Sequence, residues 1–189
     1  MLDSLPGQKF YRQSEVTNAS KFLSLLLRHR PGVIGLTLDP EGWANIEEIV
    51  TKSNGRLTRD LIDRAVAEND KARFAVSEDG LRIRARQGHS LEVDLGLKPV
   101  TPPEVLYHGT YPAVIEDILR DGLSKMQRQH VHMTEERDSA SAVGMRRGAP
   151  IILRVHAMRM SQEGYLFYQS ENGVWLTEQV PPRYLERYD

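Results

Sequence analysis

The chain has 189 residues, 40% of them hydrophobic and 27% charged, with a formal net charge of −1 at pH 7. This is an ordinary globular composition with room for one domain or two small ones, and the bulk charge points to no particular partner. The absence of cysteine excludes disulfides, thiolate catalysis and cysteine-ligated zinc and suits a cytoplasmic setting; residues 1–10 lack an apolar signal core and no run reaches transmembrane length, so no membrane partner is expected.

Apolar residues at 22, 23, 25, 26 and 27 predict a mostly buried amphipathic helix, with Thr17, Asn18 and Ser20 as N-cap candidates and Pro31 disfavouring continuation. Lys21, Ser24 and Arg28 share its polar stripe, while His29 turns towards the apolar side. Arg28 and His29 therefore stand about 100° apart at the helix end, a pincer at the edge of the core. Alone, the pair reads as a solvated Arg beside a satisfied core His. An extended piece over 34–38 and a core Trp43 are expected next. Asn45 with Glu48 then reads as a capping box opening a helix over Ile46, Ile49 and Val50. Asn54-Gly55 turns, and Thr58 or Asp60 caps a third helix with Leu61, Ile62, Ala65 and Val66 inward, ending near Asn69-Asp70.

Strands are expected over 73–76 and 81–85, joined by the hairpin turn Ser77-Glu78-Asp79-Gly80. Three helices followed by a hairpin is the order of a winged helix-turn-helix. In the second strand Arg82, Arg84 and Arg86 share one face, either a basic stripe or a solvated sheet surface. Charges nearly cancel over residues 1–98, so any nucleic-acid contact there is local. Gln87-Gly88-His89-Ser90 closes this half, Gly88 being a place for close backbone approach or simply part of a polar turn.

Residues 96–103, with prolines at 99, 102 and 103, read as a linker. A strand over Val105 to His108 precedes Gly109-Thr110. A helix from about Pro112 carries Val114, Ile115, Ile118 and Leu119 and stops at Gly122. His130, His132 and Thr134 alternate with Val131 and Met133, as a strand would place them. A helix over 139–145, a turn at Arg146-Arg147-Gly148, and strands over 151–155, 165–168 and 174–176 complete an α+β chain with strands split between two subdomains, 1–98 and 99–189.

His130 and His132, even with His108, lack a further ligand placed to complete a metal shell, and no metal is expected. No Walker loop, dinucleotide-binding glycine pattern or nucleophile elbow occurs. Arg128 sits in a polar loop, 125–129, where a solvated side chain is the plain reading. Taken together, however, Leu27-Arg28-His29, Asn69-Asp70-Lys71-Ala72-Arg73-Phe74, Ile83-Arg84-Ala85-Arg86-Gln87-Gly88-His89-Ser90, Tyr107-His108-Gly109-Thr110 and Arg128-Gln129-His130-Val131-His132-Met133 follow one another as they do in the KptA-type RNA 2′-phosphotransferases. The resemblance runs over nearly the whole chain from about residue 17, and its five motifs are specific jointly rather than singly.

The resemblance implies a winged-helix RNA-binding lobe followed by an ADP-ribosyltransferase-like lobe with a split β-sheet. It implies an enzyme that removes an internal 2′-phosphate from RNA, as left at tRNA splice junctions, with NAD⁺ as co-substrate. The phosphate would displace nicotinamide from the ribose C1″, giving an RNA-2′-phospho-ADP-ribose intermediate. The 2″-hydroxyl would then release repaired RNA and ADP-ribose 1″,2″-cyclic phosphate. The family's Arg-His-Arg-Arg catalytic set falls on Arg28, His29, Arg73 and Arg128. Lys71, Arg84, Gln87, Gly88, His89 and Ser90 would meet RNA phosphate, and His108, Gly109, Thr110, His130 and His132 would meet NAD⁺, the protein acting as a monomer. Where many ADP-ribosyltransferases carry a catalytic glutamate on a late strand, Val174 stands here.

The chemistry agrees with that assignment. A phosphate monoester, with a second pKa of roughly 6, is already a dianionic nucleophile at neutral pH and needs cationic donors rather than a base. Arg128 would stabilise charge in the transition states and touch the NAD⁺ phosphates, and His29 is the candidate acid for the leaving RNA 2′-oxygen. A carboxylate at 174 would only repel such an acceptor. Two alternatives stay open: ADP-ribosylation of terminal phosphates on RNA or DNA, and a non-catalytic winged-helix regulator.

Overall fold

The first helix, α1 (Gln13–Arg28), starts about a turn ahead of the expected caps. Val16 and Ala19, 3% and 4% exposed, continue the apolar face of Phe22, Leu23, Leu26 and Leu27 backwards, so burying that face draws the preceding turn into the helix. The Glu15 carboxylate accepts from the Arg12 backbone N–H, and Thr17 Oγ1 donates to the Gln13 carbonyl at 2.9 Å; the proposed caps Thr17, Asn18 and Ser20 are helix-interior residues. At the far end His29 N–H and Arg30 N–H both donate to the Leu25 carbonyl, and Pro31 opens a 3₁₀ turn, Pro31–Ile34. That turn replaces the start of the extended piece expected over 34–38, and residues 36–39 join no sheet. The structure, a computed structural model, describes residues 12–144 and 149–188, and the chain divides between Leu95 and Gly96 into two compact units.

In the first unit β1 (Ala44–Asn45) runs into α2 (Ile46–Lys52), capped by Asn45 Oδ1 accepting from Glu48 N–H at 3.1 Å. Only half of the expected capping box forms, because the Glu48 carboxylate pairs with Lys52 one turn on. Thr58, not Asp60, caps α3 (Arg59–Ala67), its Oγ1 accepting from Leu61 N–H at 3.2 Å. β2 (Phe74–Val76) and β3 (Arg82–Ala85) form the predicted hairpin, and the sheet order is β1-β3-β2, antiparallel throughout. The inward faces of α1, α2 and α3 close over Ile83 and Ala85 of this sheet to make one core. Trp43, expected inside, is only half-buried and is absent from that core: two guanidinium groups cover its ring instead.

The second unit consists of short antiparallel sheets. β4 (Leu106–Thr110) pairs with β7 (Ile151–Val155), which pairs with β11 (Leu185–Tyr188). A second sheet is ordered β6 (Val131–Met133), β9 (Trp175–Thr177), β8 (Phe167–Gln169), and β5 (Leu123–Ser124) pairs with β10 (Gln179–Val180). A reciprocal backbone pair, Tyr107 with Thr134 at 2.8 and 3.0 Å, joins β4 to the end of β6. The expected helix from Pro112 begins as a 3₁₀ turn and becomes α4 (Ile115–Asp121); Ile115 is buried, but Leu119 is 37% exposed and lies outside the core. Gly122 stops it as predicted: at φ 89° a Cβ would sit 2.3 Å from the Val180 carbonyl, which only glycine allows.

Helix α5 (Arg137–Gly144) starts two residues before the expected position; Met145 and the turn expected at 146–148 lie outside the described residues. Helix α6 (Ala157–Gln162) and strand β11 were not evident from periodicity, being short and sided by their contacts alone. Within the stretch read as a linker, Pro99 bridges to Tyr168 and Val100 N–H donates to the Phe167 carbonyl, so this segment lines the β8 edge. The class is mixed α and β with several small antiparallel sheets, consistent with α+β.

Candidate active site

The predicted site residues form two clusters, one in each unit. In the first, Arg28 occupies the last turn of α1, where a cation suits the negative end of the helix dipole, and His29 is the C-cap. His29 is not a core residue but sits half-buried at the rim. The loop after β3 comes back against this helix end. Ser90 N–H donates to the Arg28 carbonyl at 2.9 Å, satisfying one of the helix's terminal acceptors, and Ser90 Oγ lies 3.0 Å from His29 Nδ1 and 3.4 Å from the same carbonyl.

Gly88 supplies the left-handed backbone of that loop. It is buried at φ 88°, and a Cβ there would lie 3.4 Å from Arg28 Nη1 and 3.7 Å from its Cδ. His89 lies beneath the loop, 1% exposed, and neither ring nitrogen has a hydrogen-bond partner among the described residues. Burial pushes its pKa down to about 4, and Arg28, His29 and Arg84 push in the same direction, so the ring is neutral at physiological pH. Two guanidinium groups and a second imidazole thus act on one buried imidazole.

Arg84 also stacks on Trp43, with its guanidinium carbon 4.6 Å from the ring centre. The predicted alternation holds within β3, Arg82 and Arg84 outward and Ile83 and Ala85 buried. Arg86, expected on the same stripe, instead falls past the strand's end, half-buried, its Nε donating to the Phe74 carbonyl at 3.0 Å. Arg73, half-buried, donates from Nη1 to Asn69 Oδ1 at 3.0 Å, and Asn69 Nδ2 in turn donates to Ser20 Oγ on α1 at 3.4 Å. Lys71 is exposed, with its backbone N–H on the same Asn69 oxygen, and Gln87 is half-buried on the connection to Gly88. Asn69 was not singled out from sequence as a site residue; an Asn in the turn just past α3, a type that caps its own backbone two residues on, is the signal that could have found it.

In the second unit His108 on β4 donates from Nδ1 to the His132 carbonyl at 2.9 Å, so Nε2 is its acceptor. Burial lowers the His108 pKa, and Arg128 lowers it further. The exposed Arg128 donates from Nη1 to His132 Nδ1 at 3.1 Å. His132, Leu176 and Tyr168 stand in one row across β6, β9 and β8. Tyr168, another residue not anticipated, packs its ring 5.6 Å from that of His130 at 59°. Burial, and then Lys125, lower the His130 pKa. Thr110 is buried at the end of β4, Gly109 pairs with Ile152, and Val174 lies half-buried just ahead of β9.

The first cluster offers fixed guanidinium and imidazole donors for an anion; the second offers imidazoles in defined tautomers beside an exposed guanidinium. Among the described residues no group of three or more His, Asp or Glu could hold a metal ion, and no helix is long and apolar enough to cross a membrane.

Residues 13–179 match the model of the RNA 2′-phosphotransferase, Tpt1 / KptA family. The chain is 52% identical over 175 residues to a protein of Rhodopirellula baltica named "probable RNA 2′-phosphotransferase", covering 90% of this chain and 95% of that one. Proteins of the same name from Flavobacterium johnsoniae and Escherichia coli are 52% and 46% identical over 170 and 180 residues, covering 88% and 93% of this chain and 93% and 98% of theirs. The agreement of family model and relatives over nearly the whole chain leaves one assignment: this protein belongs to the RNA 2′-phosphotransferase, Tpt1 / KptA family of transferases.

Proposed function

We propose that the protein is an NAD⁺-dependent RNA 2′-phosphotransferase, acting as a cytoplasmic monomer on tRNA-like RNA with an internal 2′-phosphate. The three helices and three-stranded sheet of the first unit serve as a winged-helix RNA-binding lobe (1–98), and the second unit as an ADP-ribosyltransferase-like lobe (99–189). The observation that carries this reading is the Arg28–His29 pair at the end of α1, braced by Ser90 and approached by Gly88. It is a cradle of oriented cationic donors, as a dianionic phosphate requires.

Arg28, His29 and Arg73 hold the RNA 2′-phosphate, Arg73 aimed by Asn69. Guanidinium forks orient its oxygens, and the phosphate attacks without a base because it is already ionised. The second cluster suits an anionic dinucleotide: Arg128 supplies a cation, and His108 and His132 supply nitrogen atoms of set tautomer. Bound NAD⁺ supplies an electrophilic ribose carbon with nicotinamide as leaving group. Arg128 offsets charge on the NAD⁺ phosphates, and His29 gives a proton to the departing RNA 2′-oxygen in the second step.

The test is incubation with NAD⁺ and a short RNA bearing one internal 2′-phosphate, followed by mass spectrometry. The expected products are RNA lacking that phosphate, nicotinamide and ADP-ribose 1″,2″-cyclic phosphate. RNA that keeps its phosphate, with no ADP-ribosylated species formed, defeats the reading.

A further inference from the structure

We propose that Trp43, Arg82 and Arg84 form a nucleotide subsite for the RNA strand flanking the 2′-phosphate. The proposal rests on the reading of the Arg28 cluster as the phosphate cradle. β1 pairs with β3 so that Ala44 faces Ile83 and Asn45 faces Arg82. Position 43 therefore stands opposite Arg84, with Arg82 two residues along the same face. The guanidinium carbons of Arg84 and Arg82 lie 4.6 and 5.5 Å from the centre of the Trp43 ring.

The arrangement is braced. Trp43 N–H donates to Asp39 Oδ1 at 2.9 Å and its carbonyl accepts from Asp39 N–H at 2.9 Å, while the other Asp39 oxygen is 3.5 Å from Arg82 Nη1. One carboxylate thus holds both the backbone of the Trp and one of its two arginines. The large ring lies outside the core of the first unit and is half-buried against two guanidinium groups.

An aromatic ring backing two guanidiniums is complementary to a nucleotide, since a base stacks on a guanidinium plane as on an aromatic ring and the charge meets its phosphate. Position relative to the cradle favours RNA over a protein partner. Gly42, next to Trp43, lies against the His89 ring, where a Cβ would stand 3.5 Å from Nε2, and Gly88, next to His89, lies against Arg28, so the subsite and the phosphate cluster are neighbours within this unit. A strand held at its 2′-phosphate by Arg28 and His29 runs its neighbouring nucleotide onto Arg84 and Trp43, and its next phosphate onto Arg82.

Binding of fluorescein-labelled RNA without NAD⁺ tests this, comparing a 2′-phosphorylated dinucleotide with strands extended on the 5′ side, the 3′ side or both. Wild type should gain affinity on extension to one side. Trp43→Ala should lose roughly tenfold more affinity for that extended strand than for the dinucleotide, and Trp43→Phe should recover most of it. Arg82→Ala, a surface change, should lower the salt slope for the extended strand by about 0.7, the loss of one phosphate contact. Equal losses on the dinucleotide and the extended strands, or none on either, overturn the subsite. Wild type that binds no 2′-phosphorylated RNA instead overturns the phosphate cradle itself.

Discussion

Replacing Gly88 with Ala separates two effects that a glycine can serve. At φ 88° the residue is in a region where an L side chain is strained, and the backbone cost is about 1–2 kcal/mol. The added Cβ would meet Arg28 Nη1 at 3.4 Å, Cζ at 3.6 Å and Cδ at 3.7 Å, which is contact rather than overlap. The conformational cost should therefore dominate. Each kcal/mol lowers the melting temperature of a unit this size by roughly 4–8 °C. Gly88→Ala should thus melt visibly earlier by circular dichroism, and its new methyl group, lying against the guanidinium, should weaken capture of 2′-phosphorylated RNA. The decisive assay repeats the substitution in an Arg28→Ala background, where the contacted atoms are gone. The same stability loss is expected there, because φ is unchanged. A Gly88→Ala protein as stable as wild type, or a loss that vanishes with Arg28, would refute the reasoning.

Asn69→Ala should free the Arg73 guanidinium from its hydrogen bond and weaken binding of 2′-phosphorylated RNA while leaving NAD⁺ uptake near wild type; equal loss of both in titration calorimetry would argue that Asn69 is merely structural. His89 has a folded pKa of about 4 against an ordinary value near 6.5, so the unfolded chain binds the extra proton between those values. Its contribution is complete above pH 6.5 and lost as pH falls towards 4, by at most about 3 kcal/mol. Urea melts across that window should show a shallower pH dependence for His89→Gln than for wild type, and matching slopes would count against the assignment. Arg128→Ala removes a cation that lowers the His108 pKa while leaving burial, the larger cause, in place. The His108 titration followed by NMR should move up part of the way, and no movement would show that the guanidinium is too distant to matter.

Several site features could be read before any coordinates because they are local. The 3.6-residue spacing of α1 puts Arg28 and His29 at its end, and the period of two in β3 puts Arg82 and Arg84 on one face. The hairpin followed from Ser77-Glu78-Asp79-Gly80, where Asp79 accepts from both Ser77 Oγ and Leu81 N–H. Local signals misled where long-range burial competed. Good capping residues at 17, 18 and 20 yielded to the buried faces of Val16 and Ala19, and Trp43 stayed out of the core because Asp39 and two arginines hold it.

The chain's own order therefore determined which residue types sit at helix ends, strand faces and turns, since those depend on neighbours within a few positions. Tertiary structure alone decided that Ser90 reaches His29 across 61 residues, that Asn69 links Arg73 to Ser20, that the buried His89 ring comes against Gly42, and that the carbonyl of His132 meets the ring of His108. Such pairings arise from the closing of loops and the burial of whole faces, and no local period of the sequence encodes them.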